Sequence, residues 1–184
     1  MHQNRVLVPL AQGCEELEAV TIIDLLRRAQ IEVITAGLDK ENVTASRGVR
    51  LVPDTDLETA LKQDYDMIVL PGGLPGADHL DHDPRIRSLL QKMAAGKKYT
   101  AAICAAPKAL ANAGVLEGKN ATAYPGVLDS MNLPHTKITH ETVVVDGHVI
   151  TSRGPGTAMD FALTLIETLL GQQKRNEVEA GLVR

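Results

Sequence analysis

The stretch Tyr99-Thr100-Ala101-Ala102-Ile103-Cys104-Ala105-Ala106-Pro107-Lys108-Ala109-Leu110-Ala111 changes character at its cysteine. Residues 99–103 have strand character, Cys104 stands at a turn, and Ala105-Ala106-Pro107 leads into the helical run 108–111. Short β-branched runs alternate with helical patterns elsewhere too: strand-like Val6 to Pro9, helical Glu15 to Ala29, strand-like Glu32 to Ala36, strand-like Met67 to Leu70 and helical Pro84 to Ala95. That rhythm is βαβ.

In the first helix Leu17, Val20, Ile23 and Leu26 follow helical spacing, with Asp24, Arg27 and Arg28 as the polar complement. Asp83 before Pro84 is an N-cap with proline at the first helical position, and Thr157 with Asp160 has the form of a capping box opening a helix over 158–170. Two stretches break the rhythm, Ser46 to Val52 and Thr142 to Thr151. In the second, Asp146-Gly147 is a two-residue hairpin turn between Val143-Val144-Val145 and Val149-Ile150. The sheet is therefore expected to be mostly parallel with antiparallel additions. Gln172 to Arg184 is a polar helix or frayed tail. No repeat, linker or shift in composition divides the chain, so residues 1–184 are expected to form one doubly wound α/β sandwich. Chemistry in such folds sits just beyond the carboxyl ends of the parallel strands.

Composition narrows the classes of function. The formal charge of -4 disfavours a phosphate-backbone binder, and four aromatic residues without a tryptophan leave no base-stacking platform. Met1-His2-Gln3-Asn4-Arg5 runs straight into Val6-Leu7-Val8, with no signal-peptide core and no 18-residue apolar stretch in the chain; a cytoplasmic protein that does not span a membrane is expected. Two cysteines are too few for a disulfide framework, so each is a small buried hydrophobe or a reactive thiol.

Cys104 has small residues two positions either side, Ala102 and Ala106, as a nucleophile elbow requires. A helix start would also lower its pKa below the free-thiol value of about 8.5. The plain alternative is a buried cysteine in an alanine-rich strand end. Pro71-Gly72-Gly73-Leu74-Pro75-Gly76, after strand 67–70, brings backbone close to the neighbouring strand end, where N–H groups can face an oxyanion. A tight turn explains the same string, and neither a P-loop nor a dinucleotide fingerprint is present.

Gly13-Cys14-Glu15-Glu16-Leu17-Glu18 opens the first helix. Glu16 and Glu15 suit the helix dipole. Glu18 shares the Glu15 face and can lean toward the strand end; beside Cys104 it would share one proton and act as an acid/base. Cys14 is taken as a spectator. None of His2, His79, His82, His135, His140 and His148 is a compelling partner for a thiol. His79 and His82, among Asp78, Asp81 and Asp83, suit a solvated surface better than a metal site. Arg47 and Arg153 could hold a carboxylate, but structural ion pairs are the simpler expectation.

Gly13 through Glu18, Arg27-Arg28-Ala29, Ser46-Arg47, Leu70-Pro71-Gly72-Gly73, Ala101 through Ala105 and Thr151 through Thr157 together resemble, in order, signatures of the ThiJ/PfpI family. The resemblance lies in the branch of the parkinsonism-associated deglycase and its bacterial relatives. It implies a flavodoxin-like α/β sandwich, usually a homodimer with Arg27, Arg28 and Arg153 near the interface. It also implies a reactive, oxidisable Cys104, a largely protonated Glu18, and N–H donors at Gly73 and Ala105; Gly72, Glu15, Arg47 and Tyr124 are expected to support the site.

One departure stands out: Ala123-Tyr124-Pro125 occupies the place where many relatives have a histidine before proline. Tyrosine is a poor base near neutral pH, with an ordinary pKa of about 10, so proton transfer falls to Glu18. The expected activity is carbonyl-stress defence without cofactor or metal: glutathione-independent conversion of glyoxal or methylglyoxal, or removal of early glycation adducts, with nucleic acid a partner only as a glycated substrate. The rival is a non-catalytic oxidative-stress sensor or chaperone acting through oxidation of Cys104. A class I glutamine amidotransferase shares the elbow, but His140-Glu141 lacks the required spacing.

Overall fold

A computed structural model describes residues 3–184; Met1 and His2, part of the N-terminal run considered above, lie outside the described residues. In chain order the elements are β1 (Arg5–Leu10), α1 (Glu16–Arg28), β2 (Glu32–Gly37), β3 (Val43–Thr44), β4 (Arg50–Leu51), β5 (Thr55–Asp56), α2 (Leu57–Ala60), β6 (Met67–Leu70), α3 (Gly76–His82) and α4 (Pro84–Ala95). There follow β7 (Tyr99–Ile103), α5 (Pro107–Asn112), β8 (Asn120–Ala121), β9 (Lys137–Ile138), β10 (Val143–Asp146), β11 (Val149–Ser152), α6 (Ala158–Leu170) and α7 (Gln172–Gly181).

The main sheet has the order β10-β11-β7-β6-β1-β2-β5 and is parallel except where β10 pairs antiparallel with β11. Helices cover both sides, α1 packing on α6 and α6 on α7, with α3, α4 and α5 packed on one another. Because both faces are covered, the central strands bury consecutive residues rather than alternate ones: Val6, Leu7 and Val8 in β1 and all four residues of β6 are inaccessible. Small residues in β7 let the elements close up, and Phe161 of α6 is the bulkiest fully buried side chain.

The register positions the site. Leu70 of β6 pairs with Ala102 of β7, so two residues further on Gly72 stands beside Cys104. The third neighbour is β1, whose following loop leads into α1. Three strand ends therefore deliver residues 11–15, 71–75 and 104–106 to one place.

Several local expectations are corrected. The buried side of α1 is Glu18, Ala19, Ile22, Leu25 and Leu26, whereas Leu17 and Val20 are 51% and 46% exposed. Both stripes obey helical spacing; the buried one was hidden because it contains a carboxyl group. Thr157 makes no side-chain cap on α6, because its Oγ1 is taken up by Gly154 and Ser152, while Asp160 pairs with Arg184. The hairpin turn is Gly147-His148, one residue later than expected, since Asp146 still pairs with Val149. The 46–52 stretch joins a separate antiparallel ribbon, β3–β4, and β8–β9 forms a small parallel pair that the sequence did not reveal. The closing segment is the helix α7, anchored by buried Val178. Asp83 caps α4 as expected, accepting from the Arg85 N–H at 2.9 Å.

The rotated face of α1 separates two leucines that spacing alone puts together. Leu26→Ala, which empties a fully buried site, should lose about 2–5 kcal/mol in chemical denaturation. Leu17→Ala should stay within about 1 kcal/mol of wild type.

Candidate active site

Cys104 follows β7 in a left-handed backbone conformation, φ 64°, which non-glycine residues adopt only when their surroundings impose it. Its N–H donates to the Ser152 carbonyl at 3.0 Å, and its own carbonyl accepts from the Tyr124 N–H at 2.8 Å. The turn is thus pinned from two sides. Ala102 and Ala106 are completely buried, as the elbow reading requires, and Cys104 itself is 8% exposed. The N–H groups of Gly73 and Ala105 donate to its sulfur.

Glycine is dictated at both positions of the pair after β6. A Cβ at Gly72 would lie 2.6 Å from Cys104 Cβ and 2.8 Å from Glu18 Oε2. Gly73 has φ 87°, and a Cβ there would meet the Glu15 nitrogen at 2.3 Å. Gly72 also works as a donor, its N–H meeting Glu18 Oε2 at 2.8 Å while its carbonyl accepts from the Glu15 N–H at 2.9 Å.

Glu18 is completely buried on α1. Burial raises its pKa to about 7, with a further push from the Glu15 charge, against the opposing hydrogen bonds to Cys104 and Gly72. Its Oε1 is buried with no hydrogen-bond partner among the described residues, a position that suits a protonated oxygen better than an anionic one. Burial likewise raises the Cys104 thiol, to about 12, reinforced by the charge and hydrogen bond of Glu18 and opposed by the Gly73 and Ala105 N–H groups. The expectation of an intrinsically acid thiol at a helix start is therefore corrected. Two anions do not coexist here, so a thiolate can form only while Glu18 holds the shared proton.

The supporting residues take different places. Glu15 caps α1, accepting from the Leu17 N–H at 3.3 Å and lying 3.1 Å from Ser46 Oγ. Glu16 is not idle: it lies 3.0 Å from Ser46 Oγ and accepts the Arg47 N–H at 2.8 Å, tying the ribbon between β3 and β4 to α1. Arg47 and Arg153 make no ion pair among the described residues, contrary to expectation; the Arg47 guanidinium reaches the Ser46 carbonyl at 3.5 Å. Cys14 is inaccessible, its thiol raised to about 12 chiefly by burial, and its backbone lies against Gly73 and Gly76.

A cleft of about 340 Å³ opens over the thiol, lined by Glu15, Ser46, Arg47, Gly73, Cys104, Ala105 and Tyr124 together with Leu74, Val127 and Pro155. The last three were missed by sequence reasoning, since an apolar residue in a loop carries no chemical signature. Among the described residues no histidine lines this cleft. His79 and His82 border a separate hollow with Asp39, and no group of three or more His, Cys, Asp and Glu side chains among the described residues is arranged to hold a metal ion.

The DJ-1/PfpI family model matches residues 4–168. The chain belongs to the DJ-1/PfpI family. It is 46% identical to the Parkinson disease protein 7 homolog of Danio rerio, covering 100% of this chain and 98% of that protein. It is 36% identical to the glutathione-independent glyoxalase DJR-1.2 of Caenorhabditis elegans, over 94% of this chain and 91% of that one. The crystal structure of Drosophila melanogaster DJ-1beta superposes with a TM-score of 0.94 at 43% identity, covering 99% of this chain and 98% of that chain. Oxidised Toxoplasma gondii DJ-1 gives 0.92 at 38% identity, over 98% of each chain.

The raised carboxyl of this DJ-1/PfpI site links stability to pH. The folded chain keeps a proton that the unfolded chain releases near 4.5, so the Glu18 contribution is intact below that pH, declines up to about 7 and is lost above it. The loss is about 3 kcal/mol at most. Urea unfolding of wild type and Glu18→Gln from pH 4.5 to 8 should show this decline only in wild type.

Proposed function

We propose that the protein is a cofactor-free, cysteine-dependent carbonyl-stress enzyme. It would convert glyoxal or methylglyoxal to the 2-hydroxy acid without glutathione, or remove early adducts of these aldehydes from proteins or nucleic acids. The observation that carries the reading is the Cys104 sulfur facing the cleft, with two backbone N–H donors upon it and Glu18 holding a proton near pH 7. The name of the Caenorhabditis elegans relative supports it.

In the reaction the Cys104 thiolate adds to the aldehyde carbon, and the oxyanion takes the Glu18 proton, with the Gly73 and Ala105 N–H groups stabilising the developing charge. Glu18, now a carboxylate, removes the C–H proton of the hemithioacetal and returns it to the adjacent carbon through an enediol, leaving a thioester of the 2-hydroxy acid. Water releases the acid and restores the thiol. One carbon is oxidised and its neighbour reduced, so the only co-reactant is water. With no histidine in the cleft among the described residues, peptide hydrolysis is not proposed.

The second reading, an oxidation sensor or chaperone, is favoured by the same N–H donors, which would also hold sulfinate oxygens on Cys104. Lactate formation from methylglyoxal without glutathione decides between them. Cys104→Ser should abolish it, and Glu18→Gln, keeping size and a donor, should lower it by about 100- to 10,000-fold while remaining folded. A wild type without turnover whose Cys104 gains two oxygens under mild peroxide would support the sensor instead.

A homodimer in the cytoplasm completes the proposal. Exposed Leu17 and Val20 on α1 offer an apolar face for a second copy. For location, the supporting fact is that no helix among the described residues is long and apolar enough to cross a membrane. Light scattering should give the mass of a dimer at micromolar concentration, and Leu17→Glu with Val20→Glu should return a monomer.

A further inference from the structure

We propose that the site selects electrophiles carrying an apolar, ring-sized substituent, through a wall made by Leu74 and the ring of Tyr124 with Val127 and Pro155. The inference rests on the thiol addition proposed above and adds the class of substrate.

Leu74 is 60% and Tyr124 52% exposed, so two of the largest exposed apolar side chains flank the thiol rather than lying scattered over the surface. Both are held by the site's own backbone. Leu74 follows Gly73, whose N–H donates to the sulfur, and the Tyr124 N–H donates to the Cys104 carbonyl at 2.8 Å. The Tyr124 ring lies against Gly154, where an added Cβ would come within 3.4 Å of it. A small dialdehyde would leave most of the 340 Å³ cleft to water standing on apolar surface. A substituent that displaces this water gains by burial, and an aromatic ring gains further from the Tyr124 face. Among the polar lining groups, Glu15 and Ser46 are already bonded to each other. Arg47 is the rival determinant, since it would favour an anionic substituent instead.

Two measurements test the wall. The first is the rate of Cys104 alkylation, read by intact mass, with N-benzyl iodoacetamide, iodoacetamide and iodoacetate, each divided by its rate with N-acetylcysteine; in each the sulfur–carbon bond forms, iodide leaves and the thiol proton goes to solvent. The second is kcat/KM for phenylglyoxal to mandelate against glyoxal to glycolate, each consuming one water. Wild type should favour the benzyl reagent and phenylglyoxal by about tenfold or more. Leu74→Ala with Tyr124→Ala should remove most of that preference, and Tyr124→Phe should keep it, because the ring rather than the hydroxyl provides the contact.

Equal normalised rates in wild type, as a second copy covering the wall would produce, overturn the inference. So does a preference for iodoacetate, which would assign specificity to Arg47. If neither dicarbonyl is turned over while the benzyl preference persists, the proposed reaction fails and the wall stands. If both are turned over with no preference in either assay, the reaction stands and the wall fails.

Discussion

One proton is held between two buried groups, the carboxyl of Glu18 and the thiol of Cys104, and the surrounding architecture makes that arrangement possible. Neither group can be ionised freely beside the other in a region of low dielectric. A thiolate can therefore form only in combination with a neutral acid, the state that the proposed addition of sulfur to a carbonyl would use. The backbone N–H groups of Gly72, Gly73 and Ala105 distribute themselves over the two partners, Gly72 on the carboxyl and the others on the sulfur.

Close approach is the second condition. Carboxyl and thiol meet because the β6–β7 register sets Gly72 beside Cys104 and because no side chain intervenes there. The same crowding recurs one layer out, where Gly73 and Gly76 let the 71–76 loop lie against the backbone of Cys14 and Glu15. The left-handed Cys104 is kept in place by backbone hydrogen bonds to Ser152 at the end of β11 and to Tyr124 in the loop after β8.

Burying a carboxyl on α1 also decides what that helix shows to solvent. With Glu18 turned inward alongside Ala19, Ile22, Leu25 and Leu26, the apolar Leu17 and Val20 are left outside, and Glu16 is free to hold the loop that carries Arg47. The buried carboxyl–thiol pair, the surface character of α1 and the position of the Arg47 loop thus follow from one orientation of the helix.

The alternation of elements, the elbow at Cys104, the glycine pair and the Asp83 cap were all legible because each depends on neighbours in sequence: turn chemistry, capping and periodicity act over a few residues. Cys104, the glycine pair and Glu18 could accordingly be singled out, whereas Gly73 and Ala105 as N–H donors came only with the family resemblance; the structure brings all five together. What the sequence could not show is which helical stripe of α1 is buried, since a carboxyl group at the core counts against burial until its partner is known. Nor could it show that burial outweighs the helix start in setting the Cys104 thiol, that Glu16 rather than an ion pair positions the Arg47 loop, or that Leu74, Val127 and Pro155 share a cleft. Local geometry is written in consecutive residues; desolvation and the meeting of distant loops exist only once three strand ends have been packed side by side.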